Sequence, residues 1–497
     1  MSLEAFPPFM FAALVAVLLL GFPVAFSLAA LGVASGCVAI YMGWFPAGFI
    51  AALPLNVFGI LSNDLLLAIP FFTLMGCVLE RCGLAEDMLD SMGQLFGPVR
   101  GGLGYSVIIV GFILGAITGT VAGQVIAMAM ISLPVMMRYG YGMRYATGVL
   151  AASGTITQIV PPSLCLIVLA DQLGRSVGDM YKGAWGPALL QVFLFALYTF
   201  LLGRFRPQDV PGIPKEARTL NGWALWSKCL RGIIPSALLI FAVLGSMGGL
   251  PGIDEAIATP TEAGAMGALG AFLLAAVHRR LTWPLLQSAM TSTMRMTAMV
   301  VFILIGSRAF SLVFQGVSGG VWIEHMLADL PGGQIGFLIA VNVFIFFLAF
   351  FLDFFEIAFI ILPLLGPVAQ KLGIDLVWFG VLICVNMQTS FMHPPFGFSL
   401  FYLRGISDTL HKEGKLPRKV QSKDIYLGAI PWVAMQLILV AAVIFVPQTV
   451  TFFLDKEVVV DTDKVQLNFQ GSPAEEDAPE RDDPSKLFGG EEAKEPK

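Results

Sequence analysis

Thirty-five consecutive residues near the start of the chain, Phe9 to Gly43 ("FMFAALVAVLLLGFPVAFSLAALGVASGCVAIYMG"), carry no charge at all. In hydrocarbon a segment must satisfy its own backbone N–H and C=O groups, which a helix does within one segment, and about 20 apolar residues cross a bilayer as a helix. The stretch is therefore long enough for two helices, turning near Gly21–Pro23. It is too long for a cleaved leader and has no basic residues ahead of it, so it is expected to stay in the mature protein. About nine such runs and two shorter interrupted ones follow from the same reading, in a chain of 497 residues that is 57% hydrophobic and 13% charged. The class is an all-α polytopic membrane protein whose first partner is the lipid bilayer, and nothing in it points to nucleic acid.

Charge gives the orientation. Gly203–Arg231 holds six Lys/Arg against two acids, and Arg404–Asp424 six against three, so both are expected on the cytoplasmic side. Leu250–Glu262 has three acids and no base, and Asp171–Lys182 is balanced at two against two. The last 43 residues, from Asp455, hold thirteen acids and six bases with little apolar surface to pack, the composition of a disordered tail. Six cysteines without a CxxC and four scattered histidines offer no metal or haem spacing, so no cofactor is expected.

Within this apolar chain two Pro-Pro pairs stand where they must break helices: "GTITQIVPPSLCL" (Gly154–Leu166) and "QTSFMHPPFGFSL" (Gln388–Leu400). They mark an internal repeat. At an offset of 233, Pro134 meets Pro367, Gly140 meets Gly373, and Pro161-Pro162 meets Pro394-Pro395. Upstream the offset is 230, where Ala68 meets Ala298, Phe72 meets Phe302 and Gly76 meets Gly306, so three residues are inserted in the second copy. The loop after the first Pro-Pro pair is balanced and the loop after the second is basic, which places equivalent points on opposite sides of the membrane. That is an inverted repeat, the pattern of secondary transporters that expose one central site to each side in turn.

Each copy has three polar interruptions. Ser62-Asn63, with Asp64, divides two stretches too short to span and reads as the tip of a re-entrant hairpin, with Ser292-Thr293 as its mate. The cluster "LGAITGTVAG", containing Thr118, Gly119 and Thr120, corresponds to "FFLDFFEIAF", so that Thr120 matches Asp353 and Gly123 matches Glu356. The Pro-Pro breaks are the third. Unwound carbonyls with Ser, Thr and Asn oxygens suit a hard cation, and half-helix N-termini suit a carboxylate. The reading assigns Ser62, Asn63, Thr118, Gly119, Thr120, Ser292, Thr293 and Asp353 to sodium. It assigns Gly154, Thr155, Pro161, Pro162, Gln388, Thr389, Ser390, Pro394 and Pro395, with Arg295 and Glu356, to the substrate or its pathway.

The stretches "LLLAIPFFTLMGCVLERCGLAEDM", "LGAITGTVAGQVIAM", "ASGTITQIVPPS", "GDMYKGAWGP", "TPTEAGAMGA", "IGSRAFSLVFQG" and "FFLDFFEIAFIILPLLGPVAQKLGID", spread from Leu65 to Pro395, resemble the large permease subunit of tripartite ATP-independent periplasmic (TRAP) transporters, the DctM-like type. The resemblance implies an elevator-type, sodium-coupled importer of organic acids in the bacterial inner membrane. It also implies a small four-helix membrane subunit and a soluble periplasmic binding protein as partners. The alternative is a sodium/dicarboxylate symporter or antiporter that works without a delivery protein; an embedded enzyme would need clustered His, Cys or carboxylates that the chain lacks.

Several residues carry two readings. Asp353 and Glu356 belong to the ion or substrate pathway, or pair structurally with Arg295 or Arg308; those arginines instead attract the anion, or Arg308 snorkels. Asp64 ligates a cation or caps the second half-helix. His393 reads as packed rather than as a proton relay, and the phenylalanines from Phe344 to Phe359 as lipid-facing scaffold. The expected organisation is 1–55 scaffold helices, 56–205 first repeat with hairpin 1, 206–231 basic loop, 232–283 scaffold helices, 284–403 second repeat with hairpin 2, 404–424 cytoplasmic loop, 425–454 last helix, and 455–497 acidic tail. Truncation after Leu454 should leave uptake near wild type; loss of uptake at normal membrane abundance would show that the tail binds a partner.

Overall fold

The computed structural model describes residues 3–118, 120–214, 222–253, 255–328, 330–350, 352–393 and 397–454. Gly119, Pro394, Pro395, the side chain of Thr118 and the acidic tail lie outside the described residues. Every element within them is helical. The charge-free run forms α1 (Phe6–Leu19) and α2 (Val24–Tyr41), with Gly21 at φ +80° in the turn between them, as the sequence anticipates. There follow α3 (Leu53–Leu61), α4 (Asp64–Arg81), α5 (Leu84–Phe96), α6 (Gly102–Thr118), α7 (Val121–Arg138), α8 (Met143–Thr155), α9 (Leu164–Leu173) and α10 (Val177–Phe205). Then α11 (Trp223–Ser246) and α12 (Pro260–Val277) lead to α13 (Trp283–Gly316), α14 (Gly319–Ala328) and α15 (Gly333–Leu348). The chain continues through α16 (Phe354–Glu356), a π-helical turn and α17 (Leu362–Lys371) as one helical path. It closes with α18 (Leu376–Ser390), α19 (Phe398–Lys412), α20 (Ser422–Phe445) and α21 (Gln448–Thr451). Among the described residues eight helices are long and apolar enough to cross a membrane, or nine if the bent pair at Ser62-Asn63 is one crossing.

The repeat is written in the helix boundaries. At the offset of 233, the ends of α7 fall on Phe354 and Lys371, the start of α8 falls on the start of α18, and Gly140 (φ +77°) falls on Gly373 (φ +70°). At 230, the start of α3 falls on the start of α13 and the end of α6 on the end of α15. The three-residue insertion therefore lies between α15 and α16, where five residues do what two do between α6 and α7.

Those two places are where the chain doubles back. Gln124 Nε2, on α7, donates to Gly111 O, on α6, at 2.7 Å, although the two residues are 13 apart and a continuous helix would separate them by about 20 Å. In the second copy Gln334 Nε2 at the start of α15 donates to Leu372 O at the end of α17 (2.8 Å), and Phe344, Ile361 and Leu365 line one cavity of about 330 Å³. The hairpin tips are thus Thr118–Thr120 and the segment ending at Asp353.

This corrects the positions read from sequence. The Ser62-Asn63 break is real, but α3 and α4 meet at 49°, a bend rather than a reversal. Its cap is Asn63, whose side chain accepts from Leu65 N at 3.0 Å, and not Asp64. Ser292-Thr293 interrupts nothing: α13 runs unbroken for 34 residues, because Thr293 Oγ1 donates to Ala289 O of its own helix (2.9 Å) and no Gly or Pro accompanies the pair. The two pairs are also far apart. Asn63 caps the start of α4, whereas Ser292 Oγ accepts from Arg81 Nη2 (2.9 Å) at its last residue, about 27 Å away along an 18-residue helix.

Between the hairpins lie the two broken helices, α8–α9 and α18–α19. α8 lies beside α19, and α9 beside α18. The start of each thus lies beside the end of the other, so they run in opposite directions, which is the inverted repeat. Around them α4, α12 and α13 pack together with α2. Lipid gives no hydrophobic drive to helix pairing, so these contacts depend on small residues that let backbones close in. A Cβ on Gly306 would stand 2.3 Å from Ala25 O, whereas one on Gly405 of α19 would meet nothing within 4 Å. Gly306→Val should lower the melting temperature in detergent, by overpacking worth about 1–3 kcal/mol, while Gly405→Ala should not; equal melting of both would remove the close-approach argument.

Candidate functional site

The first hairpin is pressed against the Pro161-Pro162 break, and the second against His393 and α18. A Cβ on Gly115, in the last turn of α6, would lie 3.2 Å from Thr157 Cα, and one on Gly154, at the end of α8, would lie 2.2 Å from Val125 Cγ2 of α7. Only glycine at these two positions lets the first hairpin close on the unwound segment. In the second copy aromatic rings fill the same role: His393 stacks on Phe350 with ring centres 4.0 Å apart, and Phe346 meets it at 4.6 Å. His393 is packed, as its sequence context suggests, and the Phe run has two faces. Phe344 and Phe347 are exposed, whereas Phe346, Phe350, Phe354 and Phe359 pack inward, a correction to the scaffold-surface reading.

At the first break the helix ends at Thr155, and a 3-10 turn (Ile156–Gln158) leads to Pro161-Pro162. Ser163 restarts the helix, accepting from Cys165 N (3.1 Å) and donating to Gln158 O (2.5 Å). Gln158 O also accepts from Cys384 Sγ at 3.3 Å, which ties the first break to α18. One turn along α18, Gln388 Oε1 accepts from Gln191 Nε2 of α10 at 2.6 Å. At the end of α8, Thr155 Oγ1 accepts from Gln436 Nε2 of α20 (2.8 Å) and approaches Met392 Sδ (3.9 Å). Asn386 Nδ2 donates to Asn342 O (2.8 Å), joining α18 to the second hairpin. Thr389 and Ser390 donate back to Asn386 O and Met387 O, so they satisfy the last turn of α18.

This seam leaves polar atoms over. Gln158 Oε1, Gln191 Oε1, Gln388 Nε2, Gln436 Oε1 and Asn342 Oδ1 are buried without a hydrogen-bond partner. Leaving one such group unmet in an apolar interior costs on the order of 1–3 kcal/mol, so five around the two breaks mark a place built for a polar guest. The donors are neutral amides and hydroxyls. Among the described residues no three His, Cys, Asp or Glu side chains gather as a metal site. A hard monovalent cation and an anion of matching size fit that chemistry; a transition metal does not.

Asp353 and Glu356 stand at the second tip and form a capping box. Asp353 Oδ1 accepts from Glu356 N (2.9 Å), and Glu356 Oε2 accepts from Asp353 N (2.8 Å). Thr120 is the N-cap of α7 in the equivalent place, without a side-chain cap of its own. Arg295 is exposed on α13. Arg308 lines a separate cavity of about 350 Å³ at the α3–α4 bend with Asn56, Asn63 and Asp171, where Asn63 Nδ2 donates to Asp171 Oδ1 at 2.9 Å. The structure therefore brings together Gly154, Thr155, Pro161, Pro162, Gln388 and the two tips, and leaves Ser62, Asn63, Ser292 and Thr293 outside that centre. Gln158, Gln191, Gln436, Asn342 and Asn386 were not singled out in the sequence, although lone amides inside apolar runs are the signal for them.

The sequence model described as "Tripartite ATP-independent periplasmic transporter, DctM component" matches residues 11–449. The C4-dicarboxylate TRAP transporter large permease protein DctM of Rhodobacter capsulatus is 29% identical, over 88% of this chain and 96% of that protein. The 2,3-diketo-L-gulonate TRAP transporter large permease protein YiaN of Escherichia coli K12 is 24% identical, over 87% and 95%. Among solved structures the Alcanivorax borkumensis YdaH transporter shares the fold, with a TM-score of 0.55 at 15% identity over 79% of this chain and 86% of that one. The relatives are transport permeases, not enzymes.

Thr155→Val keeps the shape of the residue and removes the hydroxyl that Gln436 needs. It should lower stability by about 1–3 kcal/mol in detergent melts, and Thr155→Ser should not; an unchanged melt for Thr155→Val would separate Gln436 from the seam.

Proposed function

Given that the chain belongs to the DctM family of TRAP transporter large permeases, we propose that it imports an organic acid across the bacterial inner membrane by sodium symport with elevator-type alternating access. Its partners in this reading are a small four-helix subunit and a soluble periplasmic protein that delivers the acid. The observation that carries it is the set of amides that each keep one buried atom without a partner, gathered between two oppositely running broken helices beside the hairpins. The tip residues Thr118, Gly119, Thr120 and Asp353 would hold sodium through neutral oxygens and one carboxylate. Gln388 Nε2 and the start of α19, which has no side-chain cap, would donate to the carboxylate of the acid. The relatives named for C4-dicarboxylates and 2,3-diketo-L-gulonate support small oxygen-rich acids as the class.

The test is uptake of radiolabelled succinate into proteoliposomes holding this chain and its small subunit, with the cognate binding protein outside. Uptake should require a sodium gradient and the binding protein together. Full uptake on a proton gradient alone overturns sodium coupling, and full uptake without the binding protein turns the reading into a delivery-independent dicarboxylate symporter.

A further inference from the structure

The two hairpins are related by the offset of 233, yet they start their return helices differently. In the second, Asp353 is the N-cap and Glu356 the third helical residue, and their side chains and backbones bond reciprocally. In the first, Thr120 is the N-cap with no side-chain bond, and the third helical residue is Gly123. The first turn of any helix leaves N–H groups without intrahelical partners, so α7 lacks from its own residues what α16 has. A carboxylate nevertheless lies there. A Cβ built on Gly123 would fall 2.6 Å from Glu80 Oε2 and 3.0 Å from Glu80 Oε1 and Cδ. Glu80 comes from the last turn of α4, where its neighbour Arg81 donates to Ser292 on α13.

We propose that Glu80 serves the first hairpin in trans as Glu356 serves the second: its carboxylate lies beside the first turn of α7, in the space that a side chain at Gly123 would fill, and from there it can cap the N–H groups of that turn. Glu80 is then a positioning residue for the tip Thr118–Thr120. The positive end of α7 and the acid attract each other, as helix N-termini and carboxylates do. Glu80 is half-buried at the end of α4, where Arg81 and the positive end of α7 are the charges that favour its carboxylate. A consequence follows for alternating access, resting on the reading above. α4 packs on α12 and α13, so the first tip is fully capped only while the hairpin lies against that surface, whereas the second carries its cap wherever it goes.

The experiment uses the purified full-length chain in detergent with four forms: wild type, Glu80→Gln, Glu80→Ala, and Glu80→Ala combined with Gly123→Glu, which restores a capping box in cis. The first readout is hydrogen exchange of the amides from Val121 to Gln124. The second is the sodium chloride concentration giving half of the thermal stabilisation, with choline chloride as control. Glu80→Ala should speed exchange at these amides about fivefold or more, with Glu80→Gln between it and wild type, and the combined form should return to within about twofold of wild type. The sodium midpoint should rise and recover in the same order. Unchanged exchange in Glu80→Ala overturns the proposal, and so does faster exchange that the combined form fails to recover. If Glu80→Ala does not fold, recovery of folding by Gly123→Glu supports the proposal and failure to recover overturns it. A wild type that sodium does not stabilise counts against sodium coupling, while the exchange comparison still decides the cap.

Discussion

A backbone amide without a partner in hydrocarbon costs several kcal/mol, and the architecture is arranged around the two places where the chain accepts that condition. The Pro161-Pro162 break and the end of α18 lie together, beside the hairpins, the opposite broken helix and outer helices. Each enclosing element supplies a bond or a close contact to the break. Ser163 and Cys384 donate to Gln158 O, Gln436 reaches Thr155, and Asn386 reaches Asn342 O. Gly115 and Gly154 exist so that the first hairpin can close on the break at backbone distance. A loosened break would have no lipid to satisfy it, so the surrounding helices are held as firmly by that requirement as by their own packing.

The same requirement explains the crosswise arrangement. α7 of the first hairpin packs on α19, the second half of the other copy's broken helix, and α17 packs on α9. Each hairpin therefore packs on the other copy's broken helix as well as on its own. Two outer bonds to the seam come from amides, Gln191 on α10 and Gln436 on α20. Such amides specify the position of a helix in a medium where apolar contacts to lipid and to protein are nearly equivalent.

Breakers made most of this legible in the sequence. Proline and glycine act through backbone geometry that survives any context, so the match of Pro134 with Pro367 and Gly140 with Gly373 fixed an offset that the helix ends then follow to the residue. Polar pairs misled because a Ser or Thr hydroxyl can be satisfied by the carbonyl a turn earlier and leave a helix intact, as Thr293 does. The hairpin tips were read as unwound stretches of spans, since two residues between α6 and α7 leave no room in the sequence for a visible loop. Apart from Gln388, the seam's amides and Glu80 were passed over because their meaning lies in pairings 197 and 281 residues apart, or in a glycine's missing side chain, which no local pattern records.

The inserted residues make the two tips chemically unequal. Two residues separate α6 from α7, and the acid beside the start of α7 is contributed from α4; five separate α15 from α16, ending at Asp353 of the capping box. Under the sodium symport proposed above, two tips that differ in charge and in the source of their capping group would not hold the cation with equal strength. The tip with a carboxylate in its own loop would compensate the charge of the cation locally, while the other would depend on helix ends and on an acid from a neighbouring helix. A cation that fills the second tip first would order the hairpin that carries Asn342, and through Asn386 the end of α18, where Gln388 awaits its partner. Order of binding, in that account, follows from where three residues were inserted.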